Sequence, residues 1–170
     1  MRPAIPLTTA FVALAVSGCG GSGGTHTVAS HTPTTTAQPN TPAALEQAVR
    51  TAILANNRLS TYVLGRNAVP GWASMSTGGP ALAQLRSSAA ARASSGVHVR
   101  LLSAKYQVLS VQLDPSYTTA TALISDRGKV REYQSGQAGR TSSFDEHARL
   151  QLHRVGNSQR FVVWKLVAAS

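Results

Sequence analysis

"ARLQLHRVGNSQRFVVWKL", residues 148–166, decides the fold. Its first half alternates. Glu146, Ala148, Leu150 and Leu152 fall on one face, and His147, Arg149, Gln151 and His153 on the other. A period of two marks a half-buried β-strand. "VGNSQ", 155–159, turns the chain, and Gly and Asn are the residues that tolerate tight backbone reversals. "RFVVWKLVA", 160–168, follows as a second strand. It carries Val162, Trp164 and Leu166 on one face and Phe161, Val163 and Val167 on the other. Strands joined by so short a turn pair antiparallel. The 150–152 face and the 162–166 face are therefore expected to coincide, with Trp164 against the first helix near Ile53 or Leu59.

Upstream, the same strand chemistry extends to residue 97. "VHVRLLSAKYQVLSVQL", 97–113, is long and rich in β-branched residues, so a bend or bulge is expected within it. Asp114-Pro115-Ser116 is a turn, and "YTTATALIS" follows as a strand. "SDRG", 125–128, reads as a tight turn, "KVREYQ" as a short polar edge strand, and "SGQAGR", 135–140, as a loop.

Before residue 97 the period lengthens. Thr41 is a good N-cap and Pro42 suits the first helical position. Leu45, Val49, Ala52, Ile53, Asn56 and Leu59 then recur at helical spacing. This helix either frays near Asn56-Asn57 or runs on to Leu64. "GRNAVPGWASMSTGGP", 65–80, breaks the period. Trp72 and Met75 inside it read as the apolar plug of a loop, with a ligand-gating role as the alternative. Pro80 opens a second helix with a thin face of Leu82, Leu85, Ala89 and Ala93, stopped by Gly96. Helices first and strands afterwards is a segregated α+β order: N-terminal helices packed on a curved antiparallel sheet of four or five strands.

The leader is a different kind of sequence. Met1-Arg2 is a short positive start, and residues 3–16, "PAIPLTTAFVALAV", are apolar but too short to span a bilayer, which needs about 20 residues. Val16-Ser17-Gly18 precede Cys19, the one cysteine of the chain. An apolar run followed by small residues reads as a secretory signal over 1–18. An aliphatic residue, two small residues and then cysteine resemble the bacterial lipobox. That resemblance implies lipid attachment at Cys19, cleavage before it, and a chain held at the outer face of the cell membrane. The alternative is an ordinary signal peptide with an incidental cysteine. From 19 to 41 Gly, Ser, Thr and Pro dominate. Such a stretch buries too little apolar surface to offset its ordering entropy, so it is expected to be a tether with a mean reach of roughly 25 Å. Its Thr-Pro cluster is a candidate for O-glycosylation or plain linker. His26 and His31 are a possible but isolated metal pair.

Apart from Arg2, charge is confined to the remaining domain, 42–170. The chain has 16 Lys and Arg against 6 Asp and Glu, and only Arg2 lies before Glu46. So basic a surface favours anionic partners such as lipid headgroups or acidic polymers. Aromatic residues make up 5% of the chain, which with the export signal argues against nucleic acid, since single strands are held by base stacking. A lone cysteine excludes an internal disulfide.

The terminal hairpin, with an alternating strand, a Gly-Asn turn and an aromatic-bearing strand after N-terminal helices, resembles the nuclear transport factor 2-like superfamily over roughly 42–169. That superfamily includes the ketosteroid isomerase-like and SnoaL-like domains. Small actinobacterial exported lipoproteins often join this ending to a lipobox and a Thr-Pro spacer. The resemblance implies a cone-shaped domain, and in the superfamily's enzymes an inward carboxylate helped by Tyr or His. Burial moves such a carboxyl towards neutrality, where it serves as acid or base. Asp114 and Asp126 read as turn caps and Asp145 as lying at the start of a strand, which leaves Glu146 and Glu132 as the candidate catalytic groups. His147 and His153 share a strand face six residues apart, about 20 Å, so they do not hold one metal. With Arg149 between them, and with His98 on the first strand, they read as solvated. No serine–histidine–aspartate order, phosphate loop or paired-cysteine site stands out, and no cofactor is implied. The reading is an anchored, non-catalytic envelope module for a protein partner or small apolar ligand. Its alternatives are an isomerase- or cyclase-like enzyme and an electrostatic binder of anionic lipid or polymer.

Overall fold

The computed structural model describes residues 40–168. Cys19, His26, His31, the leader and the tether as far as residue 39 lie outside the described residues. Within them, two α-helices, α1 (Pro42–Arg66) and α2 (Gly79–Ser95), pack on four strands: β1 (Val97–Leu113), β2 (Thr119–Gln134), β3 (Gln137–Arg154) and β4 (Phe161–Ala168). The strands form one open antiparallel sheet in the order β1-β2-β3-β4. The α+β order read from the sequence is the observed one.

The helix ends follow local chemistry. Thr41 Oγ1 accepts the Ala44 amide at 3.3 Å, a cap that contributes about 1 kcal/mol. There is no fraying at Asn56-Asn57, because both are buried and the helix continues to Arg66. It stops at Asn67, left-handed at φ 52. Asn67 Nδ2 donates to the Val97 carbonyl at 2.6 Å, and Arg92 Nε donates to Asn67 Oδ1 at 3.0 Å. One residue thus joins the ends of α1 and α2 to the start of β1. Burial lowers the Arg92 pKa from its usual value. Gly96 ends α2 as expected. The loop between the helices holds a short 3-10 helix, Gly71–Met75.

The expected stripe Leu45, Val49, Ala52, Ile53, Asn56 and Leu59 is buried. Leu45, Val49, Ala52 and Ile53 meet Ala120, Ala122, Ile124, Leu150, Leu152, Phe161 and Val163 of the sheet in the main core. A second cluster lies between the helices around Leu59, Val63 and Leu82. A third joins Leu64 to Val99 and Val130.

The sheet differs from the expectation in three places. "SDRG" is not a turn and "KVREYQ" is not an edge strand: β2 runs unbroken from Thr119 to Gln134 in the interior of the sheet, with Asp126 opposite Tyr106 and Glu146. Gly128 is required by close approach. A Cβ there would lie within the van der Waals surface of the Ser103 carbonyl oxygen and 2.8 Å from Phe144 Cζ. The loop expected at 135–140 shrinks to Ser135-Gly136. Their φ values of 51 and 80 suit a two-residue hairpin turn, whose twist matches that of the strands. The remaining four residues belong to β3.

The third difference is the face of β4. Gln151 pairs with Lys165 and Leu152 with Val163, so Trp164 is an extra residue in a β-bulge. The bulge changes the parity. Phe161 and Val163 point into the core before it, and Leu166, opposite Leu150, packs against the core after it. Trp164 lies outside, stacked on His153 with centroids 4.6 Å apart and planes 5° apart, and against Gly78 and Gly79. The expectation that Trp164 faces α1 is therefore corrected. β1 carries two bulges, between Leu101 and Ser103 and between Val108 and Ser110, where its length called for at least one. At the free edge of β4, residues 76–78 bridge Val163: Val163 N–H donates to Ser76 O at 2.9 Å and Gly78 N–H to Val163 O at 2.8 Å.

Candidate functional site

The inward face of the sheet carries one polar row. Tyr106 on β1 stands opposite Asp126 on β2, which stands opposite Glu146 on β3. One neighbouring row is Val108, Ile124 and Ala148; the other is Ala104, Gly128 and Phe144. The polar row thus separates the core around Ile124 from the cluster around Val130. On α1, Asn57 and Thr61 fall between Ile53 of the main core and Leu64 of the third cluster. Asn57 Oδ1, Thr61 Oγ1 and Tyr106 Oη are buried with no hydrogen-bond partner among the described residues.

Burial sets the chemistry of this row. Asp126 is 3% exposed. The Tyr106 phenol is held well above its ordinary pKa, first by desolvation and then by the negative charge of Asp126. Burial also raises the pKa of the half-buried Glu146. Along β3, Phe144, Glu146 and Ala148 are half-buried and alternate with the exposed Asp145, His147 and Arg149, so Glu146 is on the inward face, as its parity with Leu150 and Leu152 suggests. Glu132 does not join it. It sits six residues beyond Asp126 on β2, about 20 Å away, near the Val99 end of the sheet.

Asp126 was expected to cap a turn, and its mid-strand burial is a correction. Asp145 is likewise not at the start of a strand: it lies inside β3, exposed, opposite Arg127. Asp114 is the turn cap it was expected to be. Its Oδ1 accepts the Thr119 amide at 2.7 Å, and its Oδ2 accepts the Ser116 amide at 3.2 Å and the Ser116 hydroxyl. The Ser116 hydroxyl first, then the Thr119 amide, pull its pKa down to about 2. His98 and His147 are exposed, and His153 is half-buried under Trp164. No group of three His, Cys, Asp or Glu among the described residues is placed to hold a metal, and no described helix is long and apolar enough to cross a membrane.

The accessible concavities lie elsewhere. A cleft of about 600 Å³ runs between the first half of α1, the 3-10 helix and the β3–β4 turn. Ala44, Ala48, Ala52 and Ala55 line its floor, Trp72 and Met75 one wall, and Phe161 and Arg160 the other. Trp72 and Met75 are 46% and 61% exposed. They are not the plug of their loop; Ala73, 1% exposed, is. Trp72 meets Tyr62 edge to face with centroids 5.8 Å apart, and Arg66 lies 4.9 Å over the Tyr62 ring. A smaller cavity of about 80 Å³ lies between α1, α2 and β4, where Asn56 Nδ2 donates to Thr77 Oγ1 at 2.6 Å. A third hollow, about 390 Å³, lies beside His98 and Tyr133. Tyr106, Asp126 and Glu146 line none of these three.

Tyr106 was missed in the sequence although period-two counting reaches it. Two bulges shift the parity of β1, and without their positions the count does not say which face Tyr106 takes. Asn57 and Thr61 lie where a helical wheel points them at the sheet, but only the register of β2 shows what they meet.

No family model matches the chain, and no curated protein matches it. Among solved structures it is similar to the intermembrane space region of the chloroplast protein ARC6, with a TM-score of 0.61, 13% identity, and coverage of 74% of this chain and 96% of that one. At that identity the likeness extends to the fold alone.

Proposed function

We propose that this chain is an exported lipoprotein, anchored to the outer face of the cell membrane through Cys19, whose NTF2-like domain is a non-catalytic binding module of the envelope. The lipobox-like Val16-Ser17-Gly18-Cys19 and the tether to residue 41 support the anchor. The binding role rests on one observation: the open cleft is mostly apolar, with Gln47, Thr51, Ser76 and Gln159 among its lining and Arg160 as its one charged residue, while the carboxylates Asp126 and Glu146 line neither it nor the two smaller hollows. A cleft of this size, mostly apolar with few polar groups, is what a small apolar ligand requires. Trp72 and Met75, exposed on a short 3-10 helix, form the wall that such a ligand would cover.

Two measurements test the two halves. Mass spectrometry of the chain from its native host should find a mature N-terminus at a diacylated Cys19, and Cys19→Ala should abolish both cleavage and membrane retention; a mature chain that begins elsewhere refutes the anchor. Ala48→Trp fills the cleft floor. It should abolish binding of an apolar fluorescent probe such as 1-anilinonaphthalene-8-sulfonate while leaving the fold intact, and undiminished binding refutes the cleft.

The row Tyr106–Asp126–Glu146 favours a second reading, an isomerase- or cyclase-like enzyme. Its acid–base pair would be Asp126 and Glu146, with Glu132 too distant to take part. Turnover abolished by Asp126→Asn would mark that reading; a substrate screen without turnover leaves the binding module.

A further inference from the structure

We infer that the outer face of the sheet, the one turned away from the helices, is a docking surface for an anionic membrane. This deepens the reading above, and rests on it only in naming which membrane lies at hand.

The face is built by register. Along β1 the inward positions are buried or half-buried, and His98, Arg100, Leu102, Ser103, Lys105, Gln107, Leu109, Ser110 and Gln112 are all exposed. Arg100 stands directly opposite Arg131, and Lys105 directly opposite Arg127. Lys129 lies between those rows, opposite Ser103 and Ser143. Arg149 and Lys165 continue the same face on β3 and β4. Against these seven cations the face holds one carboxylate, Asp145, opposite Arg127. The pair Arg100–Arg131 has only Thr141 beyond it, whose hydroxyl accepts from Arg131 Nε at 3.1 Å. Like charges directly opposite on a sheet are destabilising. A fold that keeps them on an exposed sheet face departs from local consistency, as functional sites do.

The helical side is different. Of the five arginines of α1 and α2, Arg50 is paired with Glu46 at 2.8 Å, Arg66 lies over Tyr62, and Arg92 bonds to Asn67.

Apolar side chains on the same face select a membrane over a soluble polyanion. At each bulge of β1 two consecutive residues project outward, Leu102 with Ser103 and Leu109 with Ser110. Leu102 is 44% and Leu109 48% exposed, and Val167 at the far edge is 45% exposed. A polymer in water offers such side chains no apolar phase. The boundary between headgroups and acyl chains does, and basic residues flanked by apolar ones are what binds there. The 21 peptide steps from Cys19 to Asn40 span up to about 70 Å, so an anchor at Cys19 lets the sheet lie against the bilayer that holds it.

The test uses the mature chain, residues 19–170, carrying Cys19→Ala, so that neither a lipid nor the apolar leader is attached. It is sedimented with vesicles of phosphatidylglycerol and phosphatidylcholine, and with phosphatidylcholine alone. Binding is expected to the anionic vesicles only and to fall steeply with salt. Lys129→Gln with Arg131→Gln should weaken it about 25-fold, near fivefold per cation, whereas Arg58→Gln with Arg86→Gln on the helices should change it less than threefold. Leu102→Ser with Leu109→Ser should weaken binding without changing the salt slope. Arg131→Glu separates binding from folding: it sets an acid opposite Arg100, so the melting temperature should rise while vesicle binding falls. Equal losses from the helical and sheet pairs would overturn the inference, since binding would then follow net charge alone. So would a parent chain that ignores anionic vesicles, or one whose binding is indifferent to the leucine pair and is matched by inorganic polyphosphate. None of these outcomes touches lipidation, which is read separately from the mature N-terminus.

Discussion

Replacing Phe161 and Trp164 by alanine, one at a time, weighs the two faces of β4 against each other. Phe161 is 1% exposed and belongs to the main core with Leu45, Ile53 and Leu152. Truncating a buried phenylalanine costs about 3–5 kcal/mol, part from lost transfer energy and part from the cavity left behind. Trp164 is larger but half-buried outside the sheet. Its removal forfeits a stacked contact with His153, worth about 0.5–1.5 kcal/mol, and part of its cover over Gly78 and Gly79, for a total of about 2 kcal/mol. An unfolding entropy of about 2.1 cal/mol/K per residue over roughly 130 residues converts these losses to Tm shifts of about 15 °C and about 7 °C. The assay is thermal unfolding of the chain carrying Cys19→Ala, followed by far-ultraviolet circular dichroism. If Trp164→Ala lowers Tm as much as Phe161→Ala does, or if Phe161→Ala melts within about 3 °C of wild type, the bulge does not switch the parity as described and the inner face of β4 is the other one.

Gly128→Ala should be among the most damaging single-methyl additions in the chain, because the new Cβ meets the Ser103 backbone and the Phe144 ring; a soluble variant with wild-type Tm would show that β1 and β2 can part there at little cost. Tyr106→Phe removes a buried hydroxyl with no hydrogen-bond partner among the described residues, so urea titration should find it neutral or stabilising, and a loss above about 1 kcal/mol would reveal a partner for that oxygen. Glu146 has a raised pKa, so the native state holds its proton more tightly than the unfolded chain, and its stabilisation is greatest below about pH 4.3 and declines as pH rises through the folded value. Glu146→Gln should therefore gain on wild type towards neutral pH and match it near pH 3, where a pH-independent offset in Tm would argue against burial as the cause. Asp114 has the opposite sign: with a pKa of about 2, its contribution is present above about pH 3.9 and is lost as pH falls through 2, so the deficit of Asp114→Ala should shrink in that window, and a deficit unchanged at pH 2 would refute it.

The elements set by local chemistry were legible in the sequence. Thr41-Pro42 and Gly96 mark helix ends through capping geometry that needs no tertiary contact, and the alternation from Glu146 to His153 survives because nothing interrupts it. What was not legible depends on neighbours far along the chain. Asp126-Arg127-Gly128 has the composition of a turn, yet Gly128 is there because β1 and Phe144 press on it, and Asp126 continues the inward parity of Ile124. A single extra residue at Trp164 reverses the face of a strand whose two sides are almost equally apolar, so no periodicity could signal it. The carboxylate pair was half visible. Glu146 followed from parity, but its partner did not, because register across β2 joins residues 20 positions apart. Trp72 and Met75 show the converse, for hydrophobicity alone does not say that a side chain is covered.

The two irregularities in β1 also bear on how copies of this protein meet one another. β1 is an edge strand of 17 residues, and a straight edge of that length is a template on which another chain can add by main-chain pairing. Each bulge breaks the ladder and steps the register, so a straight incoming strand could match only the short stretches between them. Arg100 and Lys105 project beside those stretches and would repel the same residues of a second copy. At the opposite edge, residues 76–78 take up both main-chain groups of Val163. The sheet is thereby guarded against edge-to-edge polymerisation by geometry along β1 and by cover at the middle of β4.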